Sequence, residues 1–363
     1  MSVPPPTFHE LKVLDVVPLT DDAVAITFHV PGELGETFFY LPGQHVTVRA
    51  IINGDDVRRS YSICANANER VLRIGIKRIP GGRFSTWATT ELRPGESLEV
   101  MPPVGEFTIT PDPGTSRHYA AIAAGSGITP VLSLVSSTLE TEAESRFTLV
   151  FGNRTTGSIM FLEELGGLKD LYPDRFHLIH LLSREPQVVP LFDGRIDEAK
   201  LTELFEVLIE PETVDSWYLC GPYGMVMSTR ALLEARGVPD GAVHDELFFS
   251  SEIPVLPELD EVDTEGFASV TFTLDGRQSA VKVDPDGPPI LDHALQVRRE
   301  LPFACKGGVC ATCKAVIVEG EVRMDHNYAL VPDEVERGLI LTCQSHPKTD
   351  TVVIDYDVTG GRA

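Results

Sequence analysis

Four cysteines constrain this chain more than any other residues. Cys305, Cys310 and Cys313 share one short loop, Cys305-Lys-Gly-Gly-Val-Cys310-Ala-Thr-Cys313, and Cys343 follows. The spacing, C-x4-C-x2-C and then one more cysteine, is that of the thiolates around a plant-type 2Fe–2S cluster. Each iron takes two thiolates, so a loop supplying three and a later residue supplying the fourth completes the set. Gly307 and Gly308 let the backbone wrap closely and aim N–H groups at sulfur. Zinc also takes four thiolates. Zinc sites usually pair one C-x2-C with a second, however, and here there is one such pair.

A loop of this kind needs only a small supporting fold, and the chain has 363 residues. Two or three domains are therefore expected. No apolar run reaches the roughly 18 residues that span a membrane. The opening Met-Ser-Val-Pro-Pro-Pro has neither the basic stretch nor the apolar core of a signal peptide. The two remaining cysteines, Cys64 and Cys220, lie far apart. Reduced thiols, rather than a disulfide framework, fit a cytoplasmic redox protein with no membrane partner. The formal net charge of −24 argues against a nucleic-acid partner, which would need a basic patch. It suits solubility, or the steering of a basic partner surface.

Residues 7 to about 112 read as short strands between turns. Val24–Val30, Gln44–Arg49, Val71–Lys77 and Ser97–Met101 are set off by Pro31-Gly32, Pro42-Gly43, Pro80-Gly81-Gly82 and Pro94-Gly95. That rhythm predicts a small closed antiparallel barrel. From Tyr119 the texture changes to apolar strand, glycine turn and helix in alternation, through Phe147–Phe151, Phe176–Leu182 and Ser216–Cys220. The alternation predicts a doubly wound α/β domain over 113–248. Residues 249–267 include Pro254, Pro257 and six acidic residues without a basic one, the composition of an extended linker or of an ordered surface loop. A third domain over 268–357 then carries the cysteines, beginning with a hairpin about Asp275-Gly276.

Six further stretches carry chemistry. In Arg58-Arg59-Ser60-Tyr61-Ser62-Ile63, an extended backbone puts Arg59, Tyr61 and Ile63 on one face and Ser60 and Ser62 on the other. An arginine can clamp phosphate and an aromatic can lie on a heterocycle. Lys77 and the turn Gly81-Gly82-Arg83-Phe84-Ser85 lead into a helix start, a natural pyrophosphate site. Gly125-Ser-Gly127-Ile-Thr129-Pro130 stands between strand and helix, where an open α/β sheet binds a dinucleotide. Cys220-Gly221-Pro222 repeats that arrangement at a later strand end. Ser183-Arg184, which Arg154 and Arg195 could assist, suits the 2′-phosphate of NADPH better than the ribose hydroxyls of NADH. His244-Asp-Glu246-Leu-Phe248-Phe249 closes the α/β domain, with an aromatic available to cover a flavin. Each motif also has a bland reading: an exposed strand, a tight turn, surface charge or ordinary packing.

Taken in this order, the motifs resemble the ferredoxin–NADP reductase superfamily, with a plant-type ferredoxin fused behind it. Arg58–Cys64, Phe151-Gly-Asn-Arg-Thr155, Ala304–Lys314, Asn327-Tyr-x-Leu330 and Pro332-Asp-Glu334 resemble a branch of reductases that serve a phenylacetyl-CoA-epoxidising oxygenase. The resemblance implies an FAD-binding barrel, an NADP-binding domain and a β-grasp ferredoxin domain. It implies that Arg59 holds the flavin phosphate, Tyr61 stacks on the isoalloxazine and Ser62 approaches its N5, with Ser60 beside them. Lys77, Gly82 and Ser85 would line the rest of the FAD. Gly125, Gly127, Thr129 and Pro130 would cradle the nicotinamide nucleotide, with Arg154, Ser183, Arg184 and Arg195 toward the 2′-phosphate. Cys220, Gly221, Pro222 and Glu246 would stand near the nicotinamide, and Phe248 or Phe249 over the flavin. Cys305, Cys310, Cys313 and Cys343 would ligate the cluster. Electrons would run from NADPH through FAD and the 2Fe–2S cluster to a diiron oxygenase. A reductase for another oxygenase, or a non-catalytic iron–sulfur sensor or assembly protein, is the alternative.

Overall fold

A computed structural model describes residues 8–248, 266–274, 276–298, 301–303, 306, 308, 311–327, 329–330 and 332–357, with the backbone alone at Asp55, Asp56 and Tyr223. The acidic segment, Phe249, Asp275, Cys305, Gly307 and Cys310 lie outside the described residues. The chain divides into two compact units. One comprises Glu10–Val46 and Tyr61–Ser250, the other Met1–His9, Thr47–Ser60 and Ser251–Ala363.

The first sheet is built from β1 (His9–Thr20), β2 (Ala23–His29), β3 (His45–Ile52), β4 (Asp55–Ser62), β5 (Leu72–Lys77) and β6 (Ser97–Val100), with helix α1 (Arg83–Thr90) between β5 and β6. The strand order is β4-β3-β6-β1-β2-β5. An isolated antiparallel bridge from Ile63, just past β4, to Ile74 in β5 draws the two edges together. The sheet therefore curls toward the expected barrel, and the unpaired edge that an open sheet would expose is shortened. Alternation along β2 and β5 fills its inside with Ile26, Phe28, Leu72, Ile74 and Ile76, all buried.

The second sheet is parallel, in the order β11-β10-β7-β8-β9. Its parts are β7 (His118–Ala124), α2 (Ile128–Thr141), β8 (Arg146–Asn153), α3 (Leu162–Leu171), β9 (Phe176–Leu182), α4 (Glu198–Val207), β10 (Ser216–Gly221), α5 (Tyr223–Ala235) and β11 (Val243–Leu247). The order reverses between β7 and β10, and a ligand crevice forms at such a switch point outside the strands' carboxyl ends. Helix α2 is buried nearly all round, because it shares one core with Phe147, Leu149 and Phe151 of the parallel sheet, Ala23 of β2, and Cys64 and Phe107 of segments that follow β4 and β6. Ser133 Oγ donates to the Ala65 carbonyl, 2.7 Å, and Ser137 Oγ accepts from Ala67 N, 2.9 Å. One helix thus ties the segment after β4 to the parallel sheet.

The C-terminal fold comprises β12 (Ala268–Leu274), β13 (Arg277–Val283), α6 (Ile290–Val297), β14 (Lys314–Glu319), β15 (Val322–Met324), α7 (Pro332–Glu336), β16 (Leu339–Leu341), β17 (Ser345–Pro347) and β18 (Thr351–Asp355). Its main sheet has the order β13-β12-β18-β14-β16, and β15 pairs with β17. The β12–β13 hairpin is antiparallel, whereas β12 and β18 are parallel and central. Phe272, Ile290, Leu291, Leu301, Ile354 and Tyr356 form its core together with Cys313 and Cys343. This is the mixed sheet with a packed helix that the cysteine loop required.

Candidate functional site

The site forms where the ends of β10 and β11 meet the end of β4. Cys220 and Glu246 are partners in the parallel β10–β11 register. Ser62 is the last residue of β4, and its Oγ donates to Glu246 Oε2, 3.2 Å. Three residues far apart in sequence thus lie together: a hydroxyl, a thiol and a carboxylate. Cys220 is fully buried; burial first, then Glu246 and Asp245, push its thiol well up, so it stays protonated. A protonated thiol is a weak donor and no nucleophile.

His45 joins this group, which sequence reasoning missed. It is buried, and its Nδ1 lies 3.6 Å from Glu246 Oε1. No spacing signals it, because β3 and β11 are joined only by folding. Two glycines admit the close approach of strand ends. A Cβ on Gly127 would lie 2.1 Å from the Cys220 carbonyl oxygen, and one on Gly221 would lie 2.7 Å from the Met225 side chain. Pro222 caps α5, and Phe248 N–H donates to the Gly221 carbonyl, 3.0 Å, which brings this half-buried aromatic against the same strand end.

Several expected cofactor residues have their polar atoms engaged within the fold. Thr129 is buried and its hydroxyl donates to the Ser126 carbonyl, 2.9 Å, while its methyl faces Gly75. Pro130 is buried in the first turn of α2. Gly125, at φ 54°, starts the turn and has open space where a side chain would go. Ser85 Oγ accepts from Ile79 N, 3.1 Å, and donates to the Gly82 carbonyl, 3.4 Å, so it closes the turn ahead of α1. Lys77 stands 3.6 Å from Asp22. The Tyr61 ring is half-buried, 5.6 Å from the Phe84 ring. Arg59 is exposed and bonds the Arg58 carbonyl, 2.6 Å, and Ser60 Oγ lies 3.1 Å from Thr47 Oγ1. For a bound flavin, an exposed arginine, a half-buried aromatic and the Ser62 hydroxyl in sequence on one strand end are a fitting donor set.

At the other end of the carboxyl edge, β8 and β9 are held together beyond their last residues. Ser183 N–H donates to the Asn153 carbonyl, 3.0 Å, Arg184 N–H to the Arg154 carbonyl, 2.8 Å, and Gly194 N–H to the Leu182 carbonyl, 2.9 Å. These bonds gather the backbones of Arg154, Ser183, Arg184 and Arg195 at one place, with the three arginines exposed.

In the C-terminal fold, Cys313 and Cys343 are buried. Lys306, Gly308 and Ala311 all have left-handed backbone, at φ 50°, 78° and 53°. Left-handed residues are one component of the backbone nests that bind anions. A Cβ on Gly308 would lie 3.0 Å from the His326 carbonyl. Thr342 donates twice to the Cys313 carbonyl, from N at 3.2 Å and Oγ1 at 3.0 Å, and receives the Tyr356 hydroxyl at 3.0 Å. Thr342 and Tyr356 were also missed from sequence, since neither belongs to the cysteine spacing.

Residues 10–109 match the family described as oxidoreductase FAD-binding domain, 121–231 the oxidoreductase NAD-binding domain, and 272–348 the 2Fe-2S iron-sulfur cluster binding domain. The chain belongs to the ferredoxin–NADP reductase superfamily with a C-terminal ferredoxin, and it is an NAD(P)H-dependent oxidoreductase with FAD and a 2Fe–2S cluster. It is 44 % identical to a subunit of the 1,2-phenylacetyl-CoA epoxidase of Escherichia coli (strain K12) over 354 residues, 98 % of this chain and 99 % of that one. It is 33 % identical to the ferredoxin reductase component of 3-ketosteroid-9-alpha-monooxygenase from Rhodococcus rhodochrous over 95 % of this chain and 96 % of that one. The fold matches the crystal structure of phthalate dioxygenase reductase with a TM-score of 0.54 at 22 % identity, covering 96 % of this chain and 98 % of that one. Its relatives are thus reductase components of oxygenase systems. No helix among the described residues is long and apolar enough to cross a membrane.

Proposed function

We propose that the chain is the NADPH-dependent reductase component of a diiron oxygenase that epoxidises phenylacetyl-CoA. One observation carries the reading: identity of 44 % runs over 98 % of the chain and 99 % of the 1,2-phenylacetyl-CoA epoxidase subunit, so all three parts and their order are shared. Bound FAD would supply the match between a two-electron hydride donor and a one-electron cluster. Ser62, with Glu246 beyond it, orients the reacting edge of the flavin and nicotinamide. Cys220 supplies a neutral, buried wall there. Arg59 and Tyr61 would hold the flavin phosphate and ring, and Phe248 would cover the ring. The exposed Arg154, Arg184 and Arg195, with the half-buried Ser183 between them, favour NADPH.

Cys313 and Cys343, with Cys305 and Cys310 of the same loop, ligate the cluster. A plant-type cluster at roughly −400 mV is low enough to reduce a diiron centre. The domains divide as 7–112, 113–248, a linker over 249–267, and 268–357, and the chain acts in the cytoplasm without nucleic acid or membrane. The second reading, a steroid hydroxylase reductase, has the support of 33 % identity over nearly the full length.

The test is reconstitution. Purified protein is mixed with an epoxidase of phenylacetyl-CoA or with a ketosteroid hydroxylase, and NADPH-dependent product is measured. Product with the first and little with the second is expected. The reverse result overturns the epoxidase assignment, and flavin and cluster absorption that NADPH fails to bleach overturns the reductase assignment.

A further inference from the structure

The loop after β9 carries two neighbours that favour opposite nucleotides. A cation at this position suits the 2′-phosphate of NADPH, whereas a carboxylate accepts hydrogen bonds from the ribose hydroxyls of NADH. Arg184 and Glu185 stand side by side, so the sequence leaves the two in competition.

The structure separates them. Glu185 Oε2 accepts from Thr156 N, 2.8 Å, and Glu185 Oε1 accepts from Thr156 Oγ1, 2.7 Å. Thr156 is the first residue of a 3-10 turn, Thr156–Ser158, just past β8. The first N–H groups of such a turn have no partner within it, so an outside carboxylate is a natural acceptor. The Thr156 side chain and backbone hold the Glu185 carboxyl below its usual range. Arg184, by contrast, is tied by its backbone to Arg154 and has an exposed side chain.

Resting on the NADPH preference proposed above, we infer that Thr156 is a specificity-determining residue: by holding both oxygens of Glu185 it withdraws that carboxylate from the ribose hydroxyls and leaves the site to Arg184, which selects NADPH over NADH. Thr156 needs no contact with the nucleotide for this. It acts through Glu185, as a positioning residue.

The test uses the full, FAD- and cluster-loaded protein and direct calorimetric titration with 2′,5′-ADP and 5′-AMP, which differ only in the 2′-phosphate. Preference is the ratio of the two dissociation constants. Thr156→Val, which removes the hydroxyl bond to Oε1 and leaves the backbone N–H bond to Oε2, is expected to lower that preference about tenfold, or ~1.4 kcal/mol, while Thr156→Ser keeps it. Glu185→Ala keeps it as well, having no carboxylate to release. The double variant Thr156→Val/Glu185→Ala is expected to return to the Glu185→Ala level, the coupling that marks action through one residue. Glu185→Asp, too short to reach Thr156 but still charged, is expected to lose preference with Thr156 untouched. A ratio unchanged in both Thr156→Val and Glu185→Asp, or a loss that Glu185→Ala fails to restore, overturns the inference. A starting protein that does not prefer 2′,5′-ADP overturns the NADPH reading itself.

Discussion

Two glycines in the same turn answer to different physics. Gly125 has φ 54° and open space around the missing Cβ, whereas Gly127 has ordinary backbone angles but its Cβ would lie 2.1 Å from a carbonyl oxygen. Gly125→Ala should therefore cost about 1–2 kcal/mol, the left-handed penalty alone. Gly127→Ala drives a methyl into rigid backbone at the Cys220 strand end and should cost ~3 kcal/mol or more, at the top of the range for overpacking. Urea midpoints rank the two; equal midpoints would show that the β7–α2 turn can shift away from β10. The glycine motif was legible in sequence, but its two glycines looked alike. Only the approach of β10 distinguishes them. Ser62, Glu246 and His45 behave in the same way: each type is ordinary, and 184 residues separate the hydroxyl from the carboxylate it meets.

At the scale of elements, the parallel sheet carries a pH dependence. His118 in β7, His177 and His180 in β9 and His244 in β11 are all pulled below the usual histidine range, with burial the leading cause for each. Their folded pKa values lie below the unfolded value of about 6.5, so the unfolded chain binds more protons in that range. Their contribution is fully present above about pH 6.5 and is lost as pH falls through the folded values. The melting temperature of the unit holding this sheet should be lower at about pH 5.5 than at about pH 7.5, and His180→Gln should flatten that difference. An unchanged melting temperature would show that the rings stay solvated. Strand and helix positions were largely legible here, because buried parallel strands are continuous apolar runs. The start of α3 was less so: Phe161 is its cap at φ 58°, a left-handed conformation that its burial rather than local preference imposes.

For the molecule as a whole, two compact units predict two unfolding events. Cys313 and Cys343 lie in the core of the C-terminal fold, so cluster binding should be coupled to the stability of that unit. Stripping iron and sulfide should lower one calorimetric transition and leave the other in place; a shift of both would show that the units unfold together. The sequence determined the cluster, the three folds and their order, because ligand spacing, strand rhythm and glycine turns are local properties that survive without a partner. The tertiary structure decided which hydroxyl meets Glu246, which glycine is sterically required, and that the Glu185 carboxylate is held by Thr156. Those choices depend on strand ends from distant parts of the chain meeting within hydrogen-bond range, and no local pattern encodes such a distance.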